Sequence, residues 1–100
     1  MELINENNVD DYKNDFLSVI YVSSPTCAPC KVMSPIIESL STKYTNIKFG
    51  KVNSQETRDL ALSLGVRSVP TTIIFKNGNE VERFVGIQKQ NNLENIFNSL

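Results

Sequence analysis

Two cysteines, Cys27 and Cys30, carry the covalent chemistry this chain can offer. They stand in Ser23-Ser24-Pro25-Thr26-Cys27-Ala28-Pro29-Cys30-Lys31. A cysteine sulfur attacks as the thiolate, so the question is what would hold a thiolate there. The run Leu17–Val22 is rich in β-branched and aromatic side chains and reads as a buried central strand. Behind it Cys30, Met33, Ile36, Ile37, Leu40 and Tyr44 recur at helical spacing. The pair therefore falls where a strand ends and a helix begins, around Cys27 or Ala28. The first amides of a helix point outward without partners and sit at the positive end of its dipole, which favours thiolate over thiol. Cys27, at the tip, is the expected nucleophile. A packing pair has no use for a helix tip and flanking prolines, so redox chemistry is favoured over idle or structural thiols.

Composition removes the main competitors. The chain has no histidine, so neither a Ser-His nor a Cys-His nucleophile pair can form, and two cysteines are too few for a closed zinc site. Thiol–disulfide exchange between such a pair and a substrate would need no metal and no bound organic cofactor. A net charge of -1 with mixed signs offers no basic stripe, so neither nucleic acid nor an anionic membrane is expected as a partner. At 100 residues, with 40% apolar and 21% charged, the chain suits one globular domain over residues 1–100 that acts as a monomer. Met1–Asn8 lacks the pattern of a secretory signal, and no run approaches membrane-spanning length, so the expected location is the reducing cytoplasm.

The flanking elements follow from pattern. Met1–Ile4 suits a short edge strand, and Val9–Phe16 a short helix with Val9, Tyr12 and Phe16 on one face. Pro25 stops the central strand. Pro29 is tolerated in the first helical turn, whereas Pro35 removes the bond to the Lys31 carbonyl and should kink the helix. Ile47–Val52 reads as a strand. Asn53 and Glu56 suggest a capping box for a helix over Thr57–Leu64, with Gly65 ending it. Thr71–Phe75, the turn Lys76-Asn77-Gly78-Asn79 and the alternation of Val81, Arg83 and Val85 with Glu82 and Phe84 make a hairpin. Asn91 and Glu94 suggest a cap for a last helix with Leu93, Ile96, Phe97 and Leu100 on its apolar stripe. Helical crossovers require parallel strands and the Asn-Gly turn requires antiparallel ones. The expected fold is α/β, with a mixed sheet of about five strands and helices on both faces.

Over essentially its whole length the sequence resembles the thioredoxin family. The resemblance rests on Cys27-Ala28-Pro29-Cys30-Lys31 after a central strand, Pro35 within the following helix, Val69-Pro70-Thr71 before the hairpin, and Phe75-Lys76-Asn77-Gly78 followed by Val85-Gly86. It implies the thioredoxin fold and a cis peptide bond before Pro70, beside the cysteines. It also implies that Thr26, Ala28, Pro29, Val69, Pro70, Thr71 and Gly86 form the surface that receives a disulfide substrate. Cys27 would attack that disulfide and Cys30 would resolve the mixed disulfide. Protein disulfides are the implied substrates, and a separate flavoprotein thioredoxin reductase is the implied electron donor.

The chain departs from the family pattern near the site. Ala28 replaces the usual Gly, and Thr26 and Ser23 stand where tryptophans are usual. Tyr21 replaces a buried Asp, while the neighbouring Lys51 is retained. Lys51, without that carboxylate, is expected to turn toward solvent or the sulfurs. Tyr21 and Lys51 are the candidate residues that tune the thiols, with water or the Tyr21 hydroxyl accepting the proton of Cys30. The altered rim leaves three readings: a broad disulfide reductase, a reductase dedicated to one partner, and a binding module with incidental redox activity.

Overall fold

The apolar runs and helical stripes resolve, in a computed structural model that describes residues 1–100, into β1 (Glu2–Leu3), α1 (Val9–Lys13), β2 (Leu17–Ser23), α2 (Ala28–Lys43), β3 (Lys48–Asn53), α3 (Arg58–Ser63), β4 (Thr71–Lys76), β5 (Asn79–Val85) and α4 (Gln90–Ser99). The five strands form one sheet in the order β1-β3-β2-β4-β5. β3 is parallel to β1 and β2, and β4 is antiparallel to β2 and β5, so the sheet is mixed as expected. No helix is long and apolar enough to cross a membrane.

β2 lies at the centre, and its alternation divides the core. Leu17, Val19 and Tyr21 pack with Met33, Ile37 and Leu40 of α2 and Leu93 and Phe97 of α4. Ile20 and Val22 pack on the other face with Tyr12 of α1 and Leu60 and Ala61 of α3. Each fully buried aliphatic side chain stabilises the fold by about 1.5–3 kcal/mol, so both helical layers are held by β2. α2 is thereby fixed with its N-terminus at the carboxyl end of β2. It is assigned as one helix of 16 residues across Pro35.

Local chemistry explains most of the boundaries. Gly65, at φ +74°, ends α3 with both bonds of a Schellman motif: Val66 N donates to Ala61 O (3.0 Å) and Gly65 N to Leu62 O (2.9 Å). Asn77 and Gly78 have φ of 53° and 83°, the positive pair that a two-residue hairpin turn requires.

Four expectations fail. α1 ends at Lys13 with Asn14 as its C-cap, so Phe16 lies beyond the helix and is exposed instead of sharing a face with Tyr12. Asn53 Oδ1 accepts from the amides of Gln55 and Glu56, but that caps a preceding turn, and Thr57 is the N-cap residue of α3. Asn91 lies inside α4, whose N-cap is Lys89, and Glu94 instead bonds Lys43 and Tyr44. In β5 the register passes from Ile74↔Glu82 to Phe75↔Glu80, so Val81 is the extra residue of a bulge and the simple alternation breaks there.

Candidate active site

α2 presents the sulfurs. Cys27 is its N-cap, and the Cys27 Sγ accepts a hydrogen bond from the Cys30 amide at 3.1 Å. Ala28 and Pro29 follow as the first helical residues, where proline's missing donor has no intrahelical partner to lose. Cys27 and Cys30 form a disulfide with Cα atoms 5.2 Å apart. Cys27 is half-buried at the surface, whereas Cys30 is buried on the inner face of the helix. The sulfur that a partner can reach is therefore the one that holds the free helical amide.

The opposite wall comes from the segment before β4. The Val69-Pro70 peptide is cis, as the resemblance implied. Val69 O lies 3.6 Å from Cys27 Sγ. Thr71 is buried and its hydroxyl donates to Ser68 O at 2.6 Å, which fixes this corner. Gly86 stands behind it, its amide donating to Pro70 O at 2.8 Å with φ at +90°, a conformation that favours glycine. Thr26 lies on the exposed rim, where its hydroxyl meets Ser24 Oγ (3.2 Å) and accepts from Gln55 Nε2 (2.8 Å). The rim beside Cys27 is polar and internally hydrogen-bonded.

Beneath the pair, Tyr21 and Lys51 are cross-strand neighbours on β2 and β3. Tyr21 is only 1% exposed. Its hydroxyl lies 3.0 Å from Ser34 Oγ and 3.5 Å from Cys30 O. Burial pushes the Tyr21 phenol above its ordinary value, with the Ser34 hydrogen bond acting the other way. Tyr21 is therefore a neutral hydroxyl at neutral pH. Lys51 is half-buried and makes no ion pair. It lines a cleft of about 410 Å³ that also takes in Cys30, Lys31, Ser34, Asn53 and Glu56. Of the two expected orientations for Lys51, this cleft supplies both solvent and the approach to the inner cysteine.

Sequence reasoning missed Ser34. The available signal was its place four residues after Cys30, on the same helical face, in a helix whose inner positions are otherwise apolar. Gln55, which ties the Thr26 rim to the turn before α3, had no sequence signal.

A disulfide at a helix tip, facing a cis-proline corner across a solvent-open rim, is the site of a thiol–disulfide oxidoreductase. A family model described as Thioredoxin matches residues 3–99. A thioredoxin of Chlamydia pneumoniae is 34% identical over 98 residues, covering 98% of this chain and 96% of that protein. One from Porphyra purpurea is 33% identical over 86 residues, covering 85% and 80%. Among solved structures, a mutant thioredoxin from Halobacterium salinarum NRC-1 matches with a TM-score of 0.88 at 28% identity, covering 99% of this chain and 88% of that one. Oxidised mitochondrial thioredoxin 3 from Saccharomyces cerevisiae matches with a TM-score of 0.86 at 26% identity, covering 100% and 94%. The chain belongs to the thioredoxin family. It is a protein-disulfide reductase, and its family implies protein disulfide substrates and a reductase partner in general.

Proposed function

We propose that Cys27 is the attacking sulfur and Cys30 the resolving one in a reductase that reads its substrates through the Val69-Pro70-Thr71 corner. The observation that carries this is the Cys30 amide donating to Cys27 Sγ at 3.1 Å, a bond that strengthens when that sulfur bears charge. Cys27 thiolate attacks one sulfur of a substrate disulfide, forming a Cys27–substrate bond while the other substrate sulfur leaves with the electron pair and takes a proton. Cys30 then loses its proton and attacks Cys27, expelling the second substrate sulfur and leaving the Cys27–Cys30 disulfide. The substrate is reduced by two electrons and the protein oxidised by two. A flavoprotein reductase restores the dithiol.

Substrate backbone pairs beside Cys27 with Val69, whose position before a proline leaves its chain edge open to a partner. Thr26, Ala28, Pro29, Thr71 and Gly86 border that seat. Lys51, an ammonium in the cleft below Cys30, favours the charged form of the inner sulfur. Residues 1–100 act as one monomeric domain, an electron carrier in the cytoplasm, where a reducing pool keeps such a pair supplied. The hydrogen-bonded Ser24–Thr26–Gln55 rim favours a second reading, a narrow partner range, over a broad one.

Turnover in a protein-disulfide reduction assay with a generic reductase tests both. Brisk turnover supports the broad reductase, and slow turnover restored by a cognate reductase supports the dedicated one. Binding that survives Cys27→Ser with Cys30→Ser while turnover stays absent with every donor overturns both in favour of a binding module.

A further inference from the structure

Residues 86–89 join β5 to α4, and Ile87 among them is 48% exposed. Two hydrogen bonds tie this segment to the site: Gly86 N donates to Pro70 O at 2.8 Å, and Gln88 N donates to Met33 Sδ at 3.4 Å. The second is the only hydrogen bond that residues 87 and 88 make. Met33 is fully buried on α2, three residues after Cys30, in the core layer that holds Tyr21, Ile74, Leu93 and Phe97. A leucine has the volume for that position, but only a thioether brings lone pairs that can accept an amide proton there. The contacts close a circuit around the seat. α2 meets the cis-proline corner where Cys27 Sγ lies 3.6 Å from Val69 O, the corner meets residues 86–89 through Pro70 O, and that segment returns to α2 through Met33.

We propose that Met33 is a positioning residue for protein substrates: its sulfur holds the Gln88 amide and so fixes Gly86 and Ile87 in place relative to Cys27. The inference rests on the reading that Gly86 borders the substrate seat. Met33 touches no substrate atom, since it is 0% exposed, and it acts through the backbone of residues 86–88. A border ordered in advance spares the binding step the entropy of ordering it then. Without the sulfur, the Gln88 amide has no acceptor in the protein and turns to water, carrying Ile87 with it. The loss falls on an extended protein substrate, which covers Val69 and the 86–88 border at once. It spares the sulfur chemistry, because Cys27 Sγ keeps its bond from the Cys30 amide at 3.1 Å. A small disulfide that reaches only Cys27 is indifferent to it.

The test compares Met33→Leu with the parent. Hydrogen exchange at the Gln88 amide, followed by NMR, is expected to quicken at least roughly fivefold while the amides of β2 keep their parent rates. With a disulfide-bonded protein as substrate and a small dithiol as reductant, KM is expected to rise roughly two- to tenfold at unchanged kcat, the effect of one hydrogen bond lost from binding. The rate with a small aromatic disulfide should stay at the parent value. Replacing both methionines, Met1 and Met33, separates the sulfur from its shape: norleucine should reproduce the raised KM, and selenomethionine should keep the parent KM. A parent-like KM in Met33→Leu, a KM that norleucine fails to raise, or an equal loss with the small disulfide overturns the proposal. Gly86→Ala strains the border itself, at φ +90°, and should raise the same KM. If Gly86→Ala leaves KM unchanged, the placing of Gly86 at the seat is wrong and the proposal falls with it; if only Met33→Leu leaves it unchanged, the seat stands and the role of Met33 does not.

Discussion

Tyr21 Oη lies 3.0 Å from Ser34 Oγ, and this one contact links the central strand to the helix that carries both cysteines. It stands where thioredoxins usually carry a buried carboxylate, and it puts an uncharged pair beside a lysine that has lost its partner.

Tyr21→Asp tests the two roles against each other. The shorter side chain leaves a cavity in the core of β2 and does not reach Ser34, so the protein should lose about 2–4 kcal/mol of stability by urea denaturation. Resolution at neutral pH should accelerate, because a carboxylate in register with Lys51 supplies a proton acceptor. Slower resolution would show that the hydroxyl pair outperforms the carboxylate in this chain.

Lys51→Met should slow resolution by roughly two- to fivefold at low ionic strength and by less at about 1 M salt, where charges are screened over about 3 Å. Stability should change little, since Lys51 is half-buried and holds no ion pair. A salt-independent effect would place its influence in packing rather than charge.

Gly50 on β3 is required by close approach: a Cβ there would come 2.5 Å from Tyr12 Cε2 and 2.6 Å from Ile4 Cδ1. Gly50→Ala should therefore destabilise the protein by about 1–3 kcal/mol, measured by urea midpoint, with little effect on the cysteine reactions. A neutral substitution would mean that α1 shifts freely over the sheet.

The buried phenols make the fold alkali-sensitive. Burial, reinforced at Tyr12 by its hydrogen bond to Glu2, raises Tyr12, and burial raises Tyr21, above the ordinary value of 10.0. A raised folded value means stability that is complete below the unfolded value and lost as pH climbs past it. The urea midpoint should fall above about pH 10, and less steeply in Tyr12→Phe. An unchanged slope in that variant would assign the alkaline loss to other groups.

Much of this architecture was legible because strong local signals agreed. The β-branched run Leu17–Val22, the Asn77-Gly78 turn and Gly65 each force a backbone outcome by sterics. The helix starts were less legible. Asn53 and Asn91 are good cap types, but Asn53 Oδ1 accepts from the turn before α3, Asn91 falls inside α4, and Glu94 is taken by Lys43 and Tyr44. Phe16 was misplaced because the apolar spacing ran past a helix that had already ended. At the site, Cys27, Cys30 and Pro70 could be named from motif and context. Ser34 could not, because a serine in a helix announces no partner until the strand beneath supplies one.

Trapping decides the central claim, that Cys27 attacks and Cys30 resolves. Reduced Cys30→Ser and Cys27→Ser variants are mixed with a disulfide-bonded protein substrate at neutral pH, and the products are weighed by mass spectrometry under non-reducing conditions. The geometry predicts a stable one-to-one mixed disulfide through Cys27 in the Cys30→Ser variant and little or none in Cys27→Ser. A mixed disulfide that forms through Cys30 in the Cys27→Ser variant at a comparable rate would contradict it.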